Sequence, residues 1–200
     1  MPDAAPSTPT PTPTVAESIA LIDGELSDLV STMLASDATI DLDRVAERIA
    51  AAPRVFVFGA GRSGLALRMT AMRLMHFGLT VHVVGETTTP AITTDDVLLT
   101  ASGSGTTSAI VSAATTARDS GAHVVALTTD AESPLADLAS ECVIVPAAQK
   151  QDHSGSLSRQ YAGGLFEHAI VIIGDGIFDA LWRRSGVPAD ELWPRHANLE

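Results

Sequence analysis

Apolar and polar positions change their period part-way along the chain. Between Val15 and Ala35 the apolar residues Ile19, Ile22, Leu26, Leu29, Val30 and Leu34 recur at close to helical spacing, and Leu42, Val45 and Ile49 repeat it over 41–52, where Pro53 ends the run. Two helices are predicted there. From Arg54 onward short apolar runs alternate with helical segments. The runs 54–58, 80–84, 96–100, 123–128 and 142–145 read as strands, continuously apolar because both faces are covered. Between and after them the spacing predicts helices over 64–77, ended by Gly78, over 107–120, ended by Gly121, over 133–139 and over 162–185, with a short one near Pro188. Such alternation marks parallel βα units, and the expected fold class is α/β: a three-layer α/β/α sandwich on a five-stranded parallel sheet in the flavodoxin-like order 2-1-3-4-5. No internal repeat is visible.

Composition narrows this picture. The Pro/Thr alternation of residues 1–14 reads as a disordered tail, leaving 15–200 as one domain. It has neither the basic start nor the apolar middle of a secretory signal. A net charge of -12 argues against a nucleic-acid partner, but not against a small anion held by backbone N–H groups and hydroxyls. The longest apolar stretch, 162–182, includes Glu167, His168, Asp175 and Asp179, so it reads as a buried helix and not as a membrane span. The single cysteine, Cys142, lies in an apolar run and reads as a buried, inert thiol. A cytoplasmic protein is expected.

Two glycine loops carry the candidate chemistry. "GAGRSG", residues 59–64, matches G-x-G-x-x-G after a strand, and Glu86 stands about 20 residues on, the spacing of a dinucleotide fingerprint. An NAD-dependent oxidoreductase is therefore one reading. "SGSGTT", residues 102–107, is the richer loop: Ser102, Ser104, Thr106 and Thr107 supply hydroxyls, while Gly103 and Gly105 let the backbone turn its N–H groups inward. In the order 2-1-3-4-5 both loops succeed neighbouring strands and face one crevice, which suits a terminal phosphate better than capping alone.

With "AMRLMHFG" (71–78), "VGETTTP" (84–90), "LFE" (165–167) and the terminal "RHANLE" (195–200), these loops make residues 15–200 closely resemble the 6-phospho-3-hexuloisomerase family of sugar isomerase (SIS) domains. The resemblance implies a SIS sandwich assembled as a homotetramer that interconverts 3-hexulose 6-phosphate and fructose 6-phosphate, with a 3-hexulose-6-phosphate synthase as functional partner. It further implies that Ser63 and the run Ser102, Gly103, Ser104, Gly105, Thr106 and Thr107 bind the phosphorylated sugar and that Glu167 is the catalytic base. The chain departs from the family at Thr106, where a Glu is usual. A non-catalytic phosphosugar-binding regulator is the alternative that needs the loops but not Glu167.

Moving a carbonyl from C3 to C2 through a cis-enediol(ate) needs one carboxylate for both carbon-bound protons and a donor near the developing oxyanion. Glu167 suits the first role, since its apolar helix start disfavours the charged form. Arg62 and His196 are candidates for the second, His196 only if the C-terminal segment folds over the crevice or reaches a neighbouring subunit. His76, His82 and His123 read as structural, His153 lies in a polar loop, and His168 points about 100° away from Glu167 around the helix. Arg68, Arg73, Arg183 and Arg184 read as solvated or interfacial, and Glu86 as either a crevice or a turn residue. No metal-ligand spacing appears, and the chemistry needs neither metal nor cofactor. The polar stretch 146–160 is long for a connection and is expected to help close over the substrate.

Overall fold

A computed structural model describes residues 12–36, 38–152 and 155–199 of the chain. Most of the expected tail, and His153 with it, lies outside them. Helix α1 (Val15–Leu34) opens on a capping box, in which the Thr14 hydroxyl accepts from the Glu17 N–H and the Glu17 carboxylate accepts from the Thr14 N–H. After it come α2 (Ala38–Ala51), β1 (Val55–Gly59), α3 (Gly61–Phe77), β2 (Val81–Val83), β3 (Val97–Ala101) and α4 (Ser108–Asp119). The chain continues through β4 (His123–Thr128), α5 (Pro134–Leu138), β5 (Glu141–Ile144), α6 (Gly164–Ser185) and α7 (Ala189–Leu192), with single 3-10 turns at Tyr161–Gly163 and Trp193–Arg195.

All five strands are parallel in the order β2-β1-β3-β4-β5. Alternation along each strand divides two cores. Val55, Val57, Val97, Leu99, Val125 and Leu127 point to one face, beneath α1, α2, α3 and α6. Phe56, Leu98, Val124 and Ala126 point to the other, beneath α4 and α5. No helix among the described residues is long and apolar enough to cross a membrane.

Strand bounds differ from expectation by a residue or two, but one helix start matters more. Helix α3 begins at Gly61, three residues earlier than its apolar periodicity predicts, so Arg62 and Ser63 belong to its first turn and not to a loop. The glycines on either side explain the geometry. A Cβ on Gly59 would lie 2.8 Å from the Cα of Gly64, and one on Gly64 would lie 2.3 Å from the carbonyl oxygen of Gly59. Here the glycine pattern serves close strand-to-helix contact.

Cys142 is half-buried rather than fully buried, and burial together with the charge of Asp41 pushes its thiol above the usual range.

Candidate active site

The C-terminal ends of β1 and β3 lie side by side, with Gly59 paired to Ala101. The two glycine loops that leave these strands therefore share one crevice. Neither helix that opens there has a side-chain cap: Ala60 and Thr107 occupy the N-cap positions of α3 and α4 without capping bonds. Thr107 instead pairs its hydroxyl with that of Ser102 at 2.9 Å, and Ser104 pairs with Thr106 at 2.9 Å. The first-turn N–H groups of both helices are left to a ligand, at the positive ends of two dipoles.

The loop is anchored from behind. Gly103 O accepts from the Thr129 N–H and from the hydroxyls of Thr128 and Thr129, and Ser102 N–H donates to Leu127 O. Gly105 sits at φ +62°, and a Cβ there would fall 2.0 Å from the Ser133 hydroxyl, so only glycine fits. The resulting cavity, about 410 Å³, is lined by Ser63, Ser102, Gly103, Ser104, Thr106 and Thr107, and on its other side by Asp130, Gln149, Lys150 and Gln151. Gly105 supports it from below without lining it. Among the described residues lining the cavity, the one cation is Lys150.

Glu167, in the first turn of α6, lines an adjoining cavity of about 600 Å³ with Arg62, Gln160, Tyr161 and His168. Its surroundings are not the apolar ones the sequence suggested. The carboxylate is buried, yet Arg62 Nε donates to Oε2 at 2.5 Å and Lys150 Nζ stands 3.6 Å from Oε1. The early start of α3 is what brings Arg62 there, and α6 begins at an uncapped Gly163 held at φ +79°. A Cβ on Gly163 would come 3.1 Å from Lys150 Cγ, so this glycine lets the lysine stem lie across the helix start.

The stretch 146–160 does border the crevice. Ala147 and Ala148 are buried, Gln149 to Gln151 line the cavity, and the Glu25 carboxylate of α1 accepts from the Ser158 hydroxyl, the Arg159 N–H and the Gln160 amide. Burial alone would raise the Glu25 carboxyl, but these donors and the Arg159 charge hold it below the usual range.

His196 is not brought to Glu167 within the chain. Arg195 donates to the carbonyls of His76 and Phe77 at the C-terminal end of α3, and the His196 ring stacks on His76 at 3.9 Å. Its cavity is a separate one, shared with Leu65, Arg68, Met69, Met72, Arg73 and Asp175. Arg62 and His76 are about 20 Å apart along α3, at 1.5 Å per residue. Burial, with the nearby charges of His196 and Arg73, lowers the proton affinity of His76. His82 packs on Phe56, and His123 stands beside Arg48. Glu86 is ion-paired with Arg68 at 2.6 Å.

Lys150 and the cavity-lining His168 are what sequence reasoning missed. His168 turns into the Glu167 cavity although it sits about 100° away around α6. No periodicity marks Lys150, whose only signal was membership of a long polar stretch before Glu167. Among the described residues no group of three or more His, Cys, Asp and Glu is placed to hold a metal ion.

A SIS domain model matches residues 48–172. The chain is 53% identical over 189 residues to a 3-hexulose-6-phosphate isomerase of Mycobacterium gastri, covering 93% of this chain and 92% of that protein. It is 35% identical to a 3-hexulose-6-phosphate isomerase of Bacillus subtilis, over 80% of this chain and 87% of the other. A crystal structure of a Methanococcus jannaschii protein, for which a 3-hexulose-6-phosphate isomerase function was inferred, superposes with a TM-score of 0.79 at 28% identity, covering 92% of this chain and 99% of the other.

Proposed function

The chain belongs to the SIS domain family, and we propose that within it this protein is an isomerase interconverting 3-hexulose 6-phosphate and fructose 6-phosphate in the ribulose monophosphate pathway. The observation that carries the reading is a buried carboxylate, Glu167, in the cavity adjoining an uncapped, hydroxyl-lined anion cradle. A binding module would need the cradle alone.

The phosphate sits on Ser63, Ser102, Ser104, Thr106 and Thr107, held by hydroxyls and by first-turn N–H groups of α3 and α4. Thr106 adds a donor where a carboxylate would repel the phosphate. The chain beyond the phosphate reaches toward Glu167. Its carboxylate takes the proton from C2 of the 3-ketose, the C–H electron pair forms the C2=C3 bond, and charge collects on O3. O3 gains a proton and O2 loses one, and the carboxylic acid delivers its proton to C3 as the O2–H pair becomes the C2 carbonyl. Arg62, fixed in charge, keeps the carboxylate in place and faces the developing oxyanion.

We place residues 15–200 in one working domain of a cytoplasmic homotetramer, functionally coupled to a 3-hexulose-6-phosphate synthase. The exposed stripe Leu65, Met69 and Met72 on α3 is the contact face we assign to that assembly. With His196 docked at the far end of α3, any part it takes in opening the fructose 6-phosphate ring comes from a neighbouring subunit. The test is a coupled assay that monitors fructose 6-phosphate formed from 3-hexulose 6-phosphate. Turnover by the wild type and its loss in Glu167→Gln, with fructose 6-phosphate still bound, is the expected result. An inactive wild type, or an active Glu167→Gln, overturns the reading.

A further inference from the structure

We propose that Lys150 is the second catalytic residue, the acid and base on the oxygen side of the isomerisation, an inference that rests on the reaction assigned above. Three observations converge on it. Among the described residues, Lys150 is the one common to the linings of the hydroxyl cradle and of the Glu167 cavity. Its ammonium stands 3.6 Å from Glu167 Oε1, so a substrate whose phosphate fills the cradle and whose reacting carbons meet Glu167 has to pass it. Its stem is held across the start of α6 by the missing side chain of Gly163, at 3.1 Å from where a Cβ would be.

The chemistry needs such a group. Glu167 moves the proton between C2 and C3, but one proton must also leave O2 and one must reach O3. Arg62 cannot carry it, because a guanidinium is not deprotonated in proteins. His196 lies at the other end of α3, and His168 lines the Glu167 cavity but not the cradle. Lysine can both give and accept a proton.

Atoms and electrons balance across the two half-steps. As the C2–H pair forms C2=C3, the C3=O π pair moves to O3, which takes a proton from the Lys150 ammonium. The amine then accepts the O2 proton, the O2–H pair becomes the C2=O π bond, and the C2=C3 pair takes the proton held by Glu167 at C3. Both residues end as they began. In the cis-enediol the two oxygens lie on one side, so a single ammonium serves both.

The test compares wild type, Lys150→Ala and Lys150→Arg in the isomerase assay and in binding of a phosphorylated four-carbon hydroxamate, whose carbonyl carbon and nitrogen stand in for C3 and C2 of the planar enediolate. Lys150 is exposed on its loop, so its removal leaves the fold intact, which melting curves check. Lys150→Ala should lower kcat about 10²–10³-fold, the size of a lost oxyanion donor, with KM changed less than about threefold. Hydroxamate affinity should fall by a similar factor while that for fructose 6-phosphate stays within about threefold. Lys150→Arg should recover hydroxamate affinity but little of kcat, since it keeps the charge and not the proton transfer. A rise in KM alone would make Lys150 a phosphate counter-ion and overturn the proposal, as would an unchanged kcat or an active Lys150→Arg. An inactive wild type, by contrast, removes the assigned reaction itself.

Discussion

Two buried carboxylates stand at opposite ends of the same sheet. Asp96, just before β3, meets Arg54, just before β1, through two N–H donors at 3.0 and 2.6 Å, and also accepts from the N–H and hydroxyl of Thr93. Glu167, beyond the C-terminal ends, has Arg62 and Lys150. The difference lies in the cations: the Arg54 side chain is 26% exposed, whereas those of Arg62 and Lys150 are 66% and 57% exposed. One carboxylate accepts four hydrogen bonds from Arg54 and Thr93, and its cation is mostly sheltered. The other is buried itself but held by cations that water can reach.

Removing each charge should separate the two roles. Glu167→Gln is expected to cut kcat by about 10²–10⁴-fold, the range of a lost general base, while moving the melting midpoint by less than about 2 °C because both freed cations rehydrate. A large drop in melting temperature, measured by calorimetry, would erase the contrast.

Asp96→Asn should do the reverse. Loss of charge-assisted bonds to Arg54 and Thr93 is expected to cost about 1.5–3 kcal/mol, lowering the midpoint by roughly 3–10 °C with activity per folded molecule preserved. Burial alone would raise the Asp96 carboxyl, but Arg54 and Thr93 hold it below its ordinary value near 3.8. Its contribution is therefore complete above that value and disappears as the pH falls through the lowered one. Wild type should lose this stability in acid, and Asp96→Asn should show a flatter acid limb in denaturant titrations.

The smallest expected effect belongs to the cradle. Ser102 is buried and bonded to Thr107, so Ser102→Ala frees one hydroxyl and removes one phosphate donor. A rise in KM of about 3–10-fold, with kcat nearly kept, corresponds to one hydrogen bond. An unchanged KM would place the phosphate elsewhere.

Much of this architecture was legible in the chain. The strand–helix alternation gave the parallel α/β class, and the two glycine loops gave the hydroxyl cluster, because each is coded by neighbours in sequence. Glu167 was visible as a charge in an apolar helix start. Its cations were not: Arg62 depends on α3 starting at Gly61, before its apolar periodicity begins, and Lys150 comes from an irregular segment with no pattern. The docking of His196 onto His76 was equally hidden, since nothing local in the sequence pairs Arg195 with the carbonyls at the end of α3.

Local period, turn glycines and hydroxyl clusters determined which elements form and which loop gathers hydroxyls at a helix start, because those properties act between residues a few positions apart. Which cations face Glu167, how exposed they are, and which end of α3 receives the C-terminus were decided only by the tertiary structure. Coulombic contacts and solvent access depend on distances in space between segments that the sequence separates by 17 to 105 or more positions, and no local pattern encodes them.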